Sequence, residues 1–391
     1  MIKRKIIYNL SKKSRALRAR ETETPLLTAV DFFAGSGLVT QGLSSYFNVI
    51  WANDICIKKA AVYQANHGRD HFLLCPIQQV KGSDVPASDL SWASFPCQDL
   101  SLAGNMKGIH SERSGLVREW LRALDEQACR PPVLVAENVV GLISSHDGAN
   151  YRWLHAALVE RGYCVGALFL DAIRWVPQSR PRIFVVAVGQ NGSIPPACMG
   201  NGPHWCHSDA IIKVAKGLAN WVWWRLPVPA PRRHVLSDLL EWDAPVDSEE
   251  RRKRVLSLVP PAHKREMAAV LPIADSVAAG YRRTRAGRQV LEIRFDGVAG
   301  CLRTPEGGSS RQYVVIRKSG ADWQTRLLTV RETARLMGAP DTYALPGTYN
   351  DGYKAMGDAV AVPVTAWLAR HLLHPLALAA RQKGNLYAKV G

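Results

Sequence analysis

The chain predicts a doubly wound, Rossmann-like α/β fold, a mostly parallel sheet covered by helices on both faces, followed by a second, smaller domain. Three observations predict it. From Leu26 to about Gly189 short apolar runs alternate with longer helix-like stretches. Several of those runs are continuously apolar, as strands buried on both faces require. From Gln190 to about Trp323 the alternation is lost. Of 391 residues, 47% are apolar, which is ample for a large core and excludes a disordered chain.

Residues 1–25 form a basic arm, in which positions 1–20 carry eight Lys or Arg and no acid. Such a run is either a solvated tail or a phosphate-contacting arm. Residues 26–189 form the first domain, with strands expected at Thr28–Phe33, Val49–Ala52, His71–Leu74, Leu90–Phe95, Val133–Ala136, Ala167–Leu170 and Ile183–Val188. Residues 190–323 form the second domain, with Pro-rich turns from Pro227 and two basic runs, Arg251, Arg252, Lys253 and Arg254, then YRRTRAGR from Tyr281. Each basic run is either a solvated face or a set of phosphate contacts. Trp221, Trp223 and Trp224 read as core residues. Residues 324–391 return to the first domain. Thr329–Met337 predicts an amphipathic helix that starts near Thr329 or Arg331 and stops at Gly338. The apolar stretch Ala359–Ala380 is broken by Pro363, Arg370, His371, His374 and Pro375, so it predicts packed structure and no membrane span.

Fifty Lys and Arg against 33 Asp and Glu give a formal charge of +17, a surplus that attracts nucleic acid or an anionic membrane surface. The amino terminus is too weakly apolar for a signal peptide, and the eight cysteines show no disulfide framework, so a reducing cytosol is expected. Cys198, His204, Cys206 and His207 have residue types that suit zinc, but their spacing matches no common finger, and no metal is expected.

Four polar sets fall at the ends of predicted strands. Asp31-Phe32-Phe33-Ala34-Gly35-Ser36-Gly37 closes the first strand, and its glycines permit close approach of a ligand, although an ordinary tight turn would read the same. Asn53-Asp54 ends the second strand, where an acid can bind a ribose diol. The loop lacks both the full G-x-G-x-x-G spacing and a Lys-Ser/Thr pair, so an adenosine ligand without phosphates fits better than a dinucleotide or a triphosphate. Phe95-Pro96-Cys97-Gln98 follows the fourth strand, where Cys97 is either a buried core thiol or a nucleophile at the sheet's carboxyl edge. Glu137-Asn138 ends the next strong strand at the same edge and favours the nucleophile, because a carboxyl there costs free energy unless it is used or paired. Gln178-Ser179-Arg180-Pro181-Arg182 precedes the last strand of the domain.

Taken in order, the segments DFFAGSG, NDICIKKAAVYQANH, FPCQDLSLAG, ENV, QSRPR, RETARLMGAPDTY and MGDAVAVPV resemble the DNA (cytosine-5)-methyltransferase family, which has the class I methyltransferase fold. The resemblance runs over nearly the whole chain after residue 26. It implies S-adenosylmethionine as cofactor and duplex DNA as partner. Cys97 would be the nucleophile that adds to cytosine C6, Glu137 the donor at N3, and Arg182 with Arg180 the cations at O2. Phe33, Gly35, Gly37, Asp54, Ile55, Leu116, Asp358 and Ala359 would bind the cofactor. Ser101, Gly104, Lys107 and Gly108 would lie on a lid over a flipped base. Arg251, Arg252, Lys253, Arg254, Arg282, Arg283, Arg285 and Arg288 would contact DNA, and the protein would act as a monomer beside a restriction endonuclease that cuts the same site. Three positions depart from the family pattern. Leu38 stands where many relatives have Gly, Pro76 where an acid often reaches the adenine amino group, and Cys301 where relatives often carry a Thr that touches a phosphate. The alternatives are an RNA cytosine methyltransferase, a catalytically inactive DNA-binding relative and, on the glycine loop alone, a nicotinamide dehydrogenase.

Overall fold

The computed structural model describes residues 26–96, 115–190, 192–270, 275–304, 311–383 and the backbone of 388–389. The basic arm and the expected site residues Cys97, Ser101, Gly104, Lys107 and Gly108 lie outside the described residues.

The first part of the chain forms strand β1 (Leu27–Phe32), helix α1 (Leu38–Leu43), β2 (Phe47–Asp54), α2 (Ile57–His67), β3 (Phe72–Leu74), β4 (Leu90–Ala93), α3 (Leu116–Asp125), β5 (Val133–Val139), α4 (Ala149–Glu160), β6 (Tyr163–Asp171) and β7 (Pro181–Gly189). These strands make one sheet in the order β3-β2-β1-β4-β5-β7-β6. The first five pair in parallel, whereas β7 runs antiparallel to both β5 and β6. Residues from Leu90 to Ala93 and from Val133 to Ala136 are fully buried, which is why those strands are apolar apart from Ser91, whose hydroxyl accepts the Trp120 indole N–H. The order reverses between β1 and β4, so a crevice opens beyond their carboxyl ends, where such sheets bind ligands.

The expected strands are all present, and several are longer than their apolar runs. β5 continues through Glu137 and Asn138 to Val139 because pairing with β7, from Glu137↔Phe184 to Val139↔Arg182, satisfies the backbone beyond the last apolar residue. Part of the stretch expected in the second domain packs instead on the main sheet. Val165 in β6 exchanges backbone hydrogen bonds with Asn220 and Val222, the Cys206 carbonyl accepts from the Phe169 amide, and Trp224 is buried with its indole N–H on the Val186 carbonyl. A bare edge strand would leave those amides unpaired.

The second region is centred on a four-stranded antiparallel sheet. It comprises α5 (Glu249–Ser257), α6 (Pro261–Ala269), β8 (Ser276–Arg285), β9 (Arg288–Arg294), β10 (Gln312–Arg317) and β11 (Gln324–Leu327), with sheet order β9-β8-β10-β11. One face buries Ala278, Leu291, Ile293 and Val315 against Val255, Val259 and Met267, while Ala279, Val314 and Ile316 on the other face join the large core of the main sheet. The chain then forms α7 (Val330–Leu336), α8 (Tyr349–Asp358), α9 (Val362–Leu368) and α10 (His374–Gln382). Thr329 caps α7 in a reciprocal box with Glu332. Glu332 also makes a buried ion pair with Arg326 at 2.6 Å, which ties β11 to the returning segment. α9 packs on α1, where Gly42 admits the close approach: a Cβ there would meet Thr365 at 2.6 Å. Among the described residues no helix is long and apolar enough to cross a membrane.

Candidate active site

The loop after β1 curls because Phe33, Gly35 and Gly37 all have positive φ, 58°, 55° and 83°. For Phe33 that conformation is strained, and it persists because the loop is held from several sides. The Gly35 N–H donates to Asp54 Oδ2 at 2.9 Å, and the Cys56 N–H donates to Oδ1 at 2.7 Å. Tyr343 O–H donates to the Ser36 carbonyl at 2.6 Å, and the Ser36 hydroxyl reaches the Ala355 carbonyl at 3.1 Å. Ile55, directly after β2, is 66% exposed, and Phe33 and Leu116 are half-buried. Asp358 lies at the same place, paired with Lys59 at 2.6 Å and bonded by the Thr304 hydroxyl. Leu38 is buried in the core and Pro76 is half-buried at the start of a short helical turn.

At the neighbouring edge, Asn138 Nδ2 donates to the Phe95 carbonyl at 2.8 Å, which fixes the chain leaving β4 against the end of β5. That chain runs on through Pro96 toward position 97. Glu137 is buried, and burial pushes its carboxyl above the usual range by more than Arg182, Arg180 and the Ser94 hydroxyl pull it down. Arg182 Nε lies 3.1 Å from Glu137 Oε1. Arg180, only 2% exposed, donates to the carbonyls of Leu302 (2.8 Å), Gly357 (2.8 Å) and Ala359 (2.7 Å) and approaches Cys301 Sγ at 3.4 Å. Burial and the neighbouring Arg182 lower its pKa to about 10, so it remains a cation at neutral pH. Burial alone would raise the Cys301 thiol, but Arg180 and Arg182 bring it below its ordinary value.

The structure therefore links Gly35 to Asp54 at the glycine loop, Glu137 to Arg182 at the end of the neighbouring strands, and Arg180 to Gly357 and Ala359, which flank Asp358. Sequence reasoning missed Ser94, Lys59 and the Cys301 contact with Arg180. Ser94 could have been suspected from its place two residues beyond Trp92 at the same strand end, whereas the partners of Lys59 and Arg180 lie 299 and up to 179 positions away. The other basic candidates lie elsewhere. On α5, Arg251 pairs with Asp247 (2.9 Å), Lys253 with Glu249 (2.7 Å) and Arg252 with Asp322 (4.0 Å). Arg254 is an exposed residue of the same helix. Arg282, Arg283, Arg285 and Arg288 are exposed on the β8–β9 hairpin. Cys198 and Cys206 are buried, and His207 Nδ1 accepts the His204 amide at 2.9 Å. No group of metal-ligating side chains is present among the described residues.

The family model for C-5 cytosine-specific DNA methylases matches residues 27–374. The chain belongs to that family. It is 24% identical over 354 residues to the type II methyltransferase M.Bsp6I of Bacillus sp. (strain RFL6), covering 89% of this chain and 98% of the relative. It is 30% identical over 378 residues to M.BsuFI of Bacillus subtilis, covering 96% of this chain and 77% of the relative. Among solved structures it is similar to the Dnmt2 methyltransferase of S. pombe, with a TM-score of 0.57 and 18% identity over 91% of this chain and 99% of that one. The fold is that of class I methyltransferases, and the family performs methyl transfer.

Proposed function

We propose that the protein transfers a methyl group from S-adenosylmethionine to C5 of a cytosine flipped out of a specific duplex DNA sequence. The observation that carries this reading is the buried Glu137 carboxyl, held above its usual pKa beside Arg182 and next to the chain that leads from β4 to Cys97. A nicotinamide dehydrogenase has no use for such a pair.

The residues around the glycine loop fit the cofactor. Asp54 keeps lone pairs for a ribose diol beside its two amide bonds. Phe33 and Ile55 would flank the adenine, Gly35 and Gly37 would admit the methionine part, and Leu116, Asp358 and Ala359 would close the pocket. When bound, the cofactor supplies an electrophilic methyl group.

Cytosine C5 is a poor nucleophile, so the Cys97 thiolate would first add to C6 and convert the ring to an enamine. An ordinary thiol has a pKa near ~8.5 and needs activation at neutral pH. Glu137, whose burial favours the protonated form, would give N3 its proton or a strong hydrogen bond. Arg182 would hold the O2 side, where negative charge grows. Arg180, whose Nη1 and Nη2 donate to carbonyls, would act as a strut that positions Arg182 and the segments around Cys301 and Ala359. Loss of the C5 proton and departure of sulfur from C6 would restore the ring. Flipping costs about a few kcal/mol, and the segment with Ser101, Gly104, Lys107 and Gly108 would close over the extruded base. Arg251, Arg252, Lys253, Arg254 and the hairpin arginines Arg282, Arg285 and Arg288 would bind phosphates. The similarity to type II methyltransferases supports a role beside an endonuclease of the same specificity, and the protein would act as a monomer in the cytosol.

The test is transfer from labelled S-adenosylmethionine to duplex DNA or total RNA, with wild type and Cys97→Ser. Label in duplex DNA, lost in a folded Cys97→Ser, is expected. Label confined to RNA overturns the substrate, and an equally active Cys97→Ser overturns the chemistry.

A further inference from the structure

The β8–β9 hairpin is a two-stranded ribbon closed by two residues, Ala286 and Gly287, both with positive φ (46° and 74°). That is the turn geometry whose twist matches a ribbon, and a ribbon fits the ~12 Å major groove of B-DNA. Its register pairs Tyr281 with Glu292, Arg283 with Val290 and Arg285 with Arg288, so these side chains share one face while Arg282 and the buried Leu291 share the other. The first face is continuous with the active site. Toward the base of the sheet it carries Ala279 and Val314, which pack into the main core. Next come Tyr281 and its partner Gln312, whose Nε2 donates to the Cys301 carbonyl at 3.3 Å, and Cys301 touches Arg180. A groove of about 590 Å³ runs along this face, lined by Gln312, Tyr281, Arg283, Arg285 and Arg294.

Glu292 stands among these arginines. Its Oε2 is 2.9 Å from Arg283 Nε, its Oε1 is 2.7 Å from Arg285 Nη2 and 2.8 Å from Arg285 Nε, and the Arg283 guanidinium sits 4.9 Å from the centre of the Tyr281 ring. A carboxylate at this place weakens attraction for phosphate, so general DNA affinity does not account for it. What it adds is orientation: Arg283 is fixed by an ion pair and by the face of an aromatic ring. The two arginines are held differently. Arg285 commits Nε and Nη2, one whole edge of its fork, to Glu292. Among the described residues Arg283 commits Nε alone, which leaves Nη1 and Nη2 as a planar pair of donors. Such a pair, held in a fixed plane, matches O6 and N7 of guanine.

We propose that Arg283, oriented by Glu292 and Tyr281, reads a guanine of the target sequence from the major groove, so that it determines specificity and does more than bind phosphate. This rests on the DNA methyltransferase reading above. The test is methylation of a random-sequence duplex library by the purified full chain, read by bisulfite sequencing, for wild type, Arg283→Ala, Arg283→Lys and Glu292→Gln. The wild-type motif should contain a guanine whose replacement costs about 10- to 100-fold. In Arg283→Ala and Arg283→Lys that preference should fall to near unity while the other positions keep theirs, and Glu292→Gln should weaken it at the same position. Replacing that guanine by 7-deazaguanine should slow the wild type and leave Arg283→Ala unaffected. A motif unchanged in the Arg283 variants, or a uniform loss at all sites, overturns the assignment. A wild type that methylates no duplex overturns the reading beneath it, and that result is distinct from either of these.

Discussion

Arg182 and Glu137 are diagonal neighbours across the antiparallel β5–β7 pair, with Arg182 Nε 3.1 Å from Glu137 Oε1. The pair holds a carboxyl and a guanidinium in one dry place without neutralising the tendency of the carboxyl to keep its proton, because burial outweighs the attraction of Arg182 and Arg180.

Glu137→Gln should therefore lower methyl transfer by about 10²- to 10⁴-fold while cofactor affinity changes little. The sign of the pH effect follows from the direction of the shift. In the proposed mechanism the protonated carboxyl is the working form, so its contribution to the wild-type rate should be full below its raised pKa and decline as pH rises through it, and the variant should lack that alkaline limb. Single-turnover rates across pH 5 to pH 9, with equilibrium cofactor titrations of both proteins, would check this. A limb that persists unchanged in Glu137→Gln assigns the titration to another group.

Arg180 is a different case from its neighbour. Its donors serve three carbonyls from two distant segments, so truncation leaves those carbonyls unpaired in a dry interior. Arg180→Ala should cost about 3–5 kcal/mol of stability, and Arg180→Lys should recover only part of it, because an ammonium cannot reproduce the planar fork. Urea unfolding of the three proteins measures this. Full stability in Arg180→Lys would show that charge alone is required.

The contrast between the two arginines marks the limit of what the chain discloses in one dimension. Sheet, strand ends and the Glu137 edge were legible because buried parallel strands are unbroken apolar runs and a terminal acid interrupts them. The β8 strand was not legible as a strand, since its first half faces the core (Ala278, Ala279) and its second half (Tyr281 to Arg285) leaves it, and one period never spans both. The tasks of Arg180 and Arg283 depend on Ala359 and Glu292, and partners set by tertiary packing leave no local pattern. Gly37 was legible as a glycine that its turn requires, but the constraint from His67, which a Cβ there would meet at 2.6 Å, was not.

Cys301 should be alkylated ahead of the buried Cys198 and Cys206. Arg180 and Arg182 offset its burial and favour the thiolate, whereas burial pushes Cys198 up to about 11 and Cys206 up to about 12. Brief treatment with iodoacetamide at pH 7.5, followed by peptide mass spectrometry, should find label at Cys301 well before Cys198 or Cys206. Equal rates at the three would mean that the guanidinium groups do not act on the thiol.

Asp31 sets a separate pH dependence, in stability. It is fully buried at the end of β1, accepts from the Thr40 hydroxyl through Oδ2, and its Oδ1 has no hydrogen-bond partner among the described residues. Burial, against the Thr40 bond and with the charge of Asp54, raises its pKa from 3.8 to about 8. Below the unfolded value both states hold the proton and Asp31 contributes no pH dependence. As pH rises the unfolded chain ionises first, which lowers its free energy, so stability falls until the folded carboxyl ionises near 8. By pH 7 the loss should amount to about 2–4 kcal/mol. Asn at this position cannot ionise, so whatever its stability at pH 4.5, Asp31→Asn should gain that amount on the wild type between pH 4.5 and pH 7. Urea denaturation of both proteins across this range checks it, and parallel pH profiles would mean that Asp31 is ionised in the folded protein.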